Sequence, residues 1–577
     1  MPALPLNYRY VHVSTEATTG YFTCEPPKDL TFEEGLKKLC LTPNDTFLHR
    51  HLLETLRHSP RAQKEQLLHS KDPVEAALAA ESLLLHDKPA HPHDAGSSVS
   101  SDELKRLRDF TPLPFLDLIL DERTTGEAGL RGLWNQLFQA NMEGHQELPH
   151  PDSISLPLPH AIAIRLQHLT DRKGPTLSEL TETLPASQGR WERPPAQQTA
   201  AEALMNLASS GILAGLEMRH EASLSPVGLL RNWTVDLRVA LPGFAHTLRG
   251  EATTWGRGIS LASARASYAM EMIERASAYL SCTSTEICDR KQQLPLVHAS
   301  FAELTNMGQS ALSPDALSPA APYRGQRLWW TSGADSGGNT VLVPVQVVGL
   351  FCNLDEPDLF LSPGSTGLAS GNTPEEARLA ALLELFERDA EAVLPWRKEQ
   401  CFTLRVPDSN RYPVLAALLA DYERRGIHVW FRDLKTEFGV PCFQSLVCCQ
   451  DGTIVKGSGA GMAAVDALIA SLTEVPYPYP NGPESAPVPD RLPERDVRDT
   501  SLFPDCHRHS AREELSLLEH LLEAHGHTPL YVDLTREDLE FPVVRAIVPG
   551  LETVADFDRF STPSYRLFRN VLKEAAQ

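Results

Sequence analysis

The sequence predicts an α/β (α+β) domain of catalytic size preceded by a mainly helical N-terminal region. Three features carry this expectation. From about residue 235 onward, short runs rich in Val, Ile and aromatic residues alternate with longer helix-periodic segments, as strands interleaved with helices do. Before residue 235, helix-like segments dominate and are separated by Pro-, Gly- and Ser-rich stretches. The chain has 577 residues, 42% of them hydrophobic and 22% charged, enough apolar material for several domains of ordinary size.

Residues 1–90 are expected to form a helical region closed by DKPAHPHDAGSSVSSD at 87–102. A second helical region follows over 103–235. Within it lie TLSELTETLP and, after the loop LPASQGRWERPPAQQT at 184–199, TAAEALMNLASSGILAGLEM. These predict two helices and a short strand, a winged-helix-like arrangement suited to holding a peptide or DNA. Residues 236–577 form the α/β domain. Its strands fall at WTVDLRVAL, TVLVPVQVVGLF, IHVWFRDL, CFQSLVCC, LYVDL and PVVRAIV, and its helices run through 260–280 and 374–394. The Pro-rich stretches at 310–325 and 475–494 are expected loops.

A net charge of -22 argues against broad capture of DNA, RNA or anionic membrane, which are held largely by phosphate neutralisation. The start MPALPLNYRYVHVSTE lacks the pattern of a secretory signal, and no run of 18 apolar residues occurs. A cytoplasmic protein with reduced thiols is expected. The ten cysteines are scattered, and neither Cys282 with Cys288, nor Cys448 with Cys449, nor Cys506 with His507 and His509 supplies four zinc ligands alone.

Two segments break the ordinary pattern of amphipathic helices. SYAMEMIERASAYL at 267–280 and ALLELFERDAEAVL at 381–394 each hold an ExxER: Glu271, Glu274 and Arg275 in the first, Glu384, Glu387 and Arg388 in the second. At about 100° per residue, Ser267, Glu271, Glu274 and Arg275 share one face, with Ala269, Ile273, Ala276 and Leu280 opposite. In the second helix Glu376, Glu384 and Glu387 fall within about 80° of one another, among Ala377, Ala380 and Ala381. A solvated face ordinarily carries Lys or Gln. Carboxylates three residues apart repel unless a positive charge lies between them. Mg2+ supplies such a charge, since it takes oxygen ligands and links one or two carboxylates to substrate phosphates.

Glycine-rich turns accompany both helices. TTWGRGIS places Arg257 between two glycines, STGLASGNT precedes the second helix, and VKGSGAGM follows a strand. Glycine allows close backbone approach to a phosphate, and Arg suits bidentate phosphate contact. No GxxxxGK[ST] occurs, so a P-loop is excluded.

These segments together resemble the YcaO family of ATP-dependent enzymes that activate backbone amides. GRGISLASARASYAMEMIERAS, GLASGNTPEEARLAALLELFERDA, GSGAGMAAVDALIASLTEV and VDLTREDLEFPVVRAIVPGLE occur in the family's order between about 240 and 577. The resemblance implies ATP and Mg2+ as cofactors. It implies Glu271, Glu274, Glu384, Glu387 and Glu474 as metal-facing carboxylates, with Arg257, Ser267, Arg275, Asn372, Glu376 and Arg388 completing the nucleotide pocket. It assigns no catalytic residue. In this family a nucleophile adds to an amide carbonyl and ATP phosphorylates the oxygen, which leaves as phosphate.

Two departures bear on the expected reaction. Ala470 stands where the family carries an arginine, and the chain ends LFRNVLKEAAQ in place of the proline-rich tail of azoline-forming members. An external nucleophile, as in thioamidation, is therefore expected over azoline cyclodehydration, with His507 or His509 as stand-in bases for ring closure. The rival expectation is a catalytically degenerate docking protein that binds substrate peptide for a partner enzyme. Expected partners are a peptide or protein substrate and a sulfur-delivery or other protein, with a homodimer allowed, and neither nucleic acid nor membrane.

Overall fold

In the computed structural model the described residues open with a strand. The structure describes residues 5–573 apart from 14–20, 87–98, 128, 151–152, 168–173, 184–192, 361–363, 488–495, 553–556 and 558–560. Of the linkers expected at 87–102, 184–199 and 475–494, residues 87–98, 184–192 and 488–494 lie outside the described residues; 475–487 is loop as expected, whereas the helix Ala196–Ser209 begins inside the second. The loop at 310–325 carries one short 3-10 turn at Pro314–Leu317.

Alternation dictates the first strand: Leu6, Tyr8 and Tyr10 are buried along β1 (Leu6–Val13), which pairs with β2 (Tyr21–Glu25). The helices α1 (Phe32–Leu39), α2 (Thr46–Arg57), α3 (Arg61–Leu68), α4 (Pro73–His86), α5 (Ser101–Leu107) and α6 (Phe115–Thr125) follow. Then come α7 (Leu130–Met142), α8 (His160–Gln167), α9 (Leu177–Thr183) and α10 (Ala196–Ser209). Side-chain caps start several of them. Asp45 accepts from the Leu48 N–H at 3.1 Å at the head of α2, filling an otherwise orphaned donor.

Next in the chain are β3 (Leu213–Arg219), β4 (Val227–Leu241), β5 (Phe244–Gly258) and α11 (Leu261–Ala278). Short strands β6 (Cys282–Thr283), β7 (Glu286–Ile287), β8 (Leu294–Pro295) and β9 (Val297–Ala299) lead to α12 (Phe301–Asn306). They are followed by β10 (Leu328–Asp335), β11 (Thr340–Pro344), β12 (Leu368–Ser370), α13 (Pro374–Val393), β13 (Cys401–Arg405) and α14 (Pro413–Arg424). The rest comprises β14 (Val429–Asp433), β15 (Cys442–Cys448), β16 (Ile454–Ala460), α15 (Ala464–Glu474), β17 (Val497–Asp499), α16 (Ala511–Ala524), β18 (Leu530–Asp533), β19 (Val543–Ile547) and α17 (Tyr565–Lys573).

The strands form three sheets. The first runs β2-β1-β5-β4-β6-β7-β8, with β3 also on β4; the second runs β11-β10-β18-β19-β12, with β9 on β10; the third runs β16-β15-β14-β13-β17. The long hairpin β4–β5 turns at Pro242 and Gly243, the latter at φ 81. α11 packs on β4 and β5, α15 on β15 and β16, and both α11 and α13 reach β12 and β19. The two ExxER helices thus flank one short pair of strands.

The boundary expected at 235 falls inside β4, which pairs with β5 along its whole length. Residues 227–232 are buried or half-buried on both faces, so alternation becomes visible only after them. The N-terminal region also holds more than helices, because β1 adds in parallel to β5. Two helices and a strand do occur in the expected winged-helix-like stretch. However, α9 packs mainly on α16 and α10 mainly on α11, so they are seated on separate partners. No described helix is long and apolar enough to cross a membrane.

Candidate functional site

The glycine-rich turns seat helices. A Cβ on Gly256 of β5 would lie 2.0 Å from the Ala264 carbonyl of α11, and one on Gly459 of β16 would lie 2.5 Å from the Ala467 carbonyl of α15. Helix backbone, not phosphate, fills the space these glycines leave open. The consequence is positional: α11 and α15 lie hard against their strands.

On α11, Ala269, Met272, Ile273 and Ala276 are buried, as the helical spacing requires. The opposite face carries the acids. Arg275 spans its own motif, with Nη2 3.6 Å from Glu271 and Nε 3.5 Å from Glu274. On α13, Arg388 lies 3.2 Å from Glu387 and donates to Glu391 at 2.6 Å. Glu384 accepts the Gly367 N–H at 3.1 Å. The two helices meet electrostatically at Glu274 and Glu384.

Burial pushes the Glu274 carboxyl up to about 8, opposed by Arg275 and reinforced by Glu384 and Glu271. Burial likewise raises Glu387 to about 7, opposed by Arg388 and reinforced by Glu391 and Glu384. Glu271 and Glu384 are raised for the same reason, against Arg275 and Arg388 respectively.

The remaining expected residues occupy the rim and one end. Arg257 forms an ion pair with Glu474 at the end of α15, and its N–H donates to Ser267 at 3.3 Å. Ala470 contributes only its methyl group to α15; the guanidinium that reaches this helix comes from β5. Asn372 and Glu376 are joined at the start of α13, about 12 Å along the helix from Glu384 at 1.5 Å per residue. The Asn372 N–H and Nδ2 both donate to one Glu376 oxygen at 2.8 Å.

Two members of the cluster were not among the expected residues. Arg545 of β19 is 1% exposed and donates to the carbonyls of Val348, Thr366 and Gly364. Burial lowers its guanidinium to about 10, opposed by Glu384 and Glu274. A lone arginine in the apolar run PVVRAIV was the available signal. Glu391 continues the acidic stripe of α13 and accepts from Ser458 at 2.5 Å. Its spacing of four from Glu387 was equally legible.

The donor set fits Mg2+ held together with a polyphosphate. Glu271, Glu274, Glu384, Glu387, Glu391 and Glu474 face the four cations Arg257, Arg275, Arg388 and Arg545, leaving excess negative charge and oxygen donors only. Among the described residues no group of three or more His, Cys, Asp or Glu converges as a ready-made metal cage. Mg2+ does not need one, because it commonly takes one or two carboxylates plus substrate phosphates.

A family model described as YcaO cyclodehydratase, ATP- and Mg2+-binding, matches residues 255–552. The chain belongs to the YcaO family, and ATP and Mg2+ are its cofactors. An uncharacterised protein from the tfuA 3' region of Rhizobium leguminosarum bv. trifolii is 28% identical over 53% of this chain and 78% of its own length. One from Methanothermobacter thermautotrophicus is 27% identical over 52% of this chain and 81% of its own. Among solved structures, a heterocyclase in complex with substrate and cofactor aligns at 18% identity and TM-score 0.49, over 64% of this chain. This chain spans 53% of that heterocyclase. YcaO from Methanopyrus kandleri, bound with AMPPCP and Mg2+, aligns at 22% identity and TM-score 0.45, over 63% of this chain and 93% of its own.

Proposed function

We propose that this protein is an ATP- and Mg2+-dependent enzyme that phosphorylates a backbone amide oxygen of a peptide or protein, with an external nucleophile, as in thioamidation, favoured over azoline ring closure. The observation that carries the reading is the facing of Glu274 and Glu384 across two ExxER helices, with both carboxyls raised by burial and Glu274 raised further by Glu384. Glu271, Glu274, Glu384, Glu387 and Glu474 would hold Mg2+. Arg257, Ser267, Arg275, Asn372, Glu376 and Arg388 would bind the nucleotide. Bound Mg2+ would spread the charge of the transferring phosphoryl group and make the amide oxygen a good leaving group.

The preference for an external nucleophile rests on the bases that ring closure would need. His507 is clamped between Asp466 at 2.6 Å and Glu514 at 2.9 Å, and those hydrogen bonds raise it to about 10. An imidazolium cannot accept the proton of an attacking Cys, Ser or Thr. The stretch after Pro563 forms α17, whose buried Leu567, Phe568 and Val571 pack with Trp134 and Phe138 of α7, and which the Arg566–Asp389 pair ties to the face of α13 away from Glu384. Residues 1 to about 235 would recognise the peptide or a sulfur-delivering partner. With ten free cysteines, the cytoplasm is the fitting compartment.

Mass spectrometry of a modified substrate tests the reaction. Exchange of an amide oxygen for sulfur supports it, and loss of one water from a peptide containing Cys, Ser or Thr refutes the external nucleophile. A docking protein without turnover, the reading Ala470 invites, would bind peptide and release no ADP.

A further inference from the structure

Asn372 and Glu376 owe their fixed geometry to side chains that lie outside the family-matched residues. Thr199 of α10 donates its hydroxyl to Asn372 Oδ1 at 2.8 Å. With its oxygen held by a donor, the amide presents Nδ2 to Glu376 Oε2, and a flipped amide would lose both bonds. The other oxygen, Glu376 Oε1, accepts from Arg193 Nε at 3.2 Å. Glu376 is 2% exposed, and among the described residues Arg193 is the cation paired with it. A buried carboxylate stripped of its cation is left uncompensated.

α10 is itself firmly placed. Asn206 donates to the Leu539 carbonyl at 2.9 Å and Ser210 to the Asp538 carbonyl at 3.3 Å, while the helix packs along α11. The approach to α10 therefore bridges the start of α13 and the helix that carries the first ExxER.

Resting on the proposed nucleotide role of Asn372 and Glu376, we infer that Arg193 and Thr199 are positioning residues of the ATP site. They lock the Asn372–Glu376 pair in one orientation, so the N-terminal region sets nucleotide affinity without touching the phosphates. Neither is a catalytic residue. A purely structural role would lower the melting temperature and leave nucleotide affinity alone.

The test is calorimetric titration of the full chain with Mg·ATP, alongside thermal melts. Thr199→Val and Arg193→Gln are expected to weaken binding about threefold to tenfold each, the range for one lost hydrogen bond. Thr199→Ser, which keeps the hydroxyl, should restore affinity. Thr199→Val should add nothing in an Asn372→Ala background, because coupled residues are not additive. If Thr199→Val binds Mg·ATP like the wild type while Asn372→Ala and Glu376→Gln lose it, the inference falls and the ATP site stands. If Asn372→Ala and Glu376→Gln also bind normally, the site assignment falls and takes the inference with it. Should Arg193→Gln fail to fold, the Thr199 pair still decides.

Discussion

The two ExxER helices share a motif and differ in almost everything that supports it. α11 rests on an apolar back, with Tyr268, Ala269, Met272 and Ile273 buried, against a sheet built partly from the N-terminal region. α13 carries a charge on its back. Asp389 is fully buried, ion-paired with Arg566 of α17 and hydrogen-bonded to the Glu552 N–H at 2.8 Å. On the acidic faces, Arg275 is shared loosely between two carboxylates of its own helix, whereas Arg388 is drawn outward to Glu391. The same ExxER spacing therefore leaves Arg275 between the two carboxylates of its own motif and sets Arg388 against a third acid, Glu391.

Cutting the chain should break α11's seat first. The fragment 236–577 severs β4 and removes β1 from the edge of β5, and it is expected to be insoluble or unfolded by circular dichroism. A soluble fragment that binds Mg·ATP would show that α11 needs no support from the N-terminal region. The rear charge of α13 comes next. Arg566→Ala should cost about 3–5 kcal/mol in chemical denaturation, the range for breaking a buried pair, and adding Asp389→Asn should recover part of it. A loss below about 1 kcal/mol would place the pair in effective contact with water.

The acidic faces give the third contrast. Glu274→Gln and Glu384→Gln are each expected to weaken Mg·ATP binding at least about a hundredfold, more than losing a group that only orients a ligand costs, with the melting temperature unchanged or raised because a buried, desolvated carboxyl is removed. Glu391→Gln, whose carboxylate accepts from Arg388 and Ser458 beside Glu387, should weaken it about tenfold or less. Equal losses in calorimetry would erase the distinction between ligand and neighbour. The smallest effect concerns His507. Its folded value of about 10 exceeds the ordinary 6.5, so its contribution to stability is complete below about pH 6.5 and is lost as pH rises through about 10. With half of the side chain exposed, that contribution is small. Imidazole NMR signals that titrate near 6.5 would reopen His507 as a base.

Much of the C-terminal half was legible. α11 and α13 occur at their expected positions because capping and 3.6-residue periodicity are local: Ser260 accepts from the Ser263 N–H and Thr373 from the Glu376 N–H. Strands such as Cys442–Cys448 were visible for the same reason, since an apolar β-branched and aromatic run has few alternatives. The alternation in LNYRYVHV was also present, yet a helical context concealed it. Its role as a partner of β5 involves residues more than 200 positions away, and no local pattern encodes a pairing partner.

The sequence by itself determined which residues are acidic, at what spacing and on which helix faces, because helix geometry converts spacing into direction. Only the tertiary structure decided that the glycines of GRG and GSGAG accommodate helix backbone, that Glu274 meets Glu384 beside Arg545, and that Arg193 and Thr199 hold the Glu376–Asn372 pair at the start of α13. These depend on how three sheets and two helices pack, and charge repulsion across that packing exists only once desolvation brings the carboxylates together.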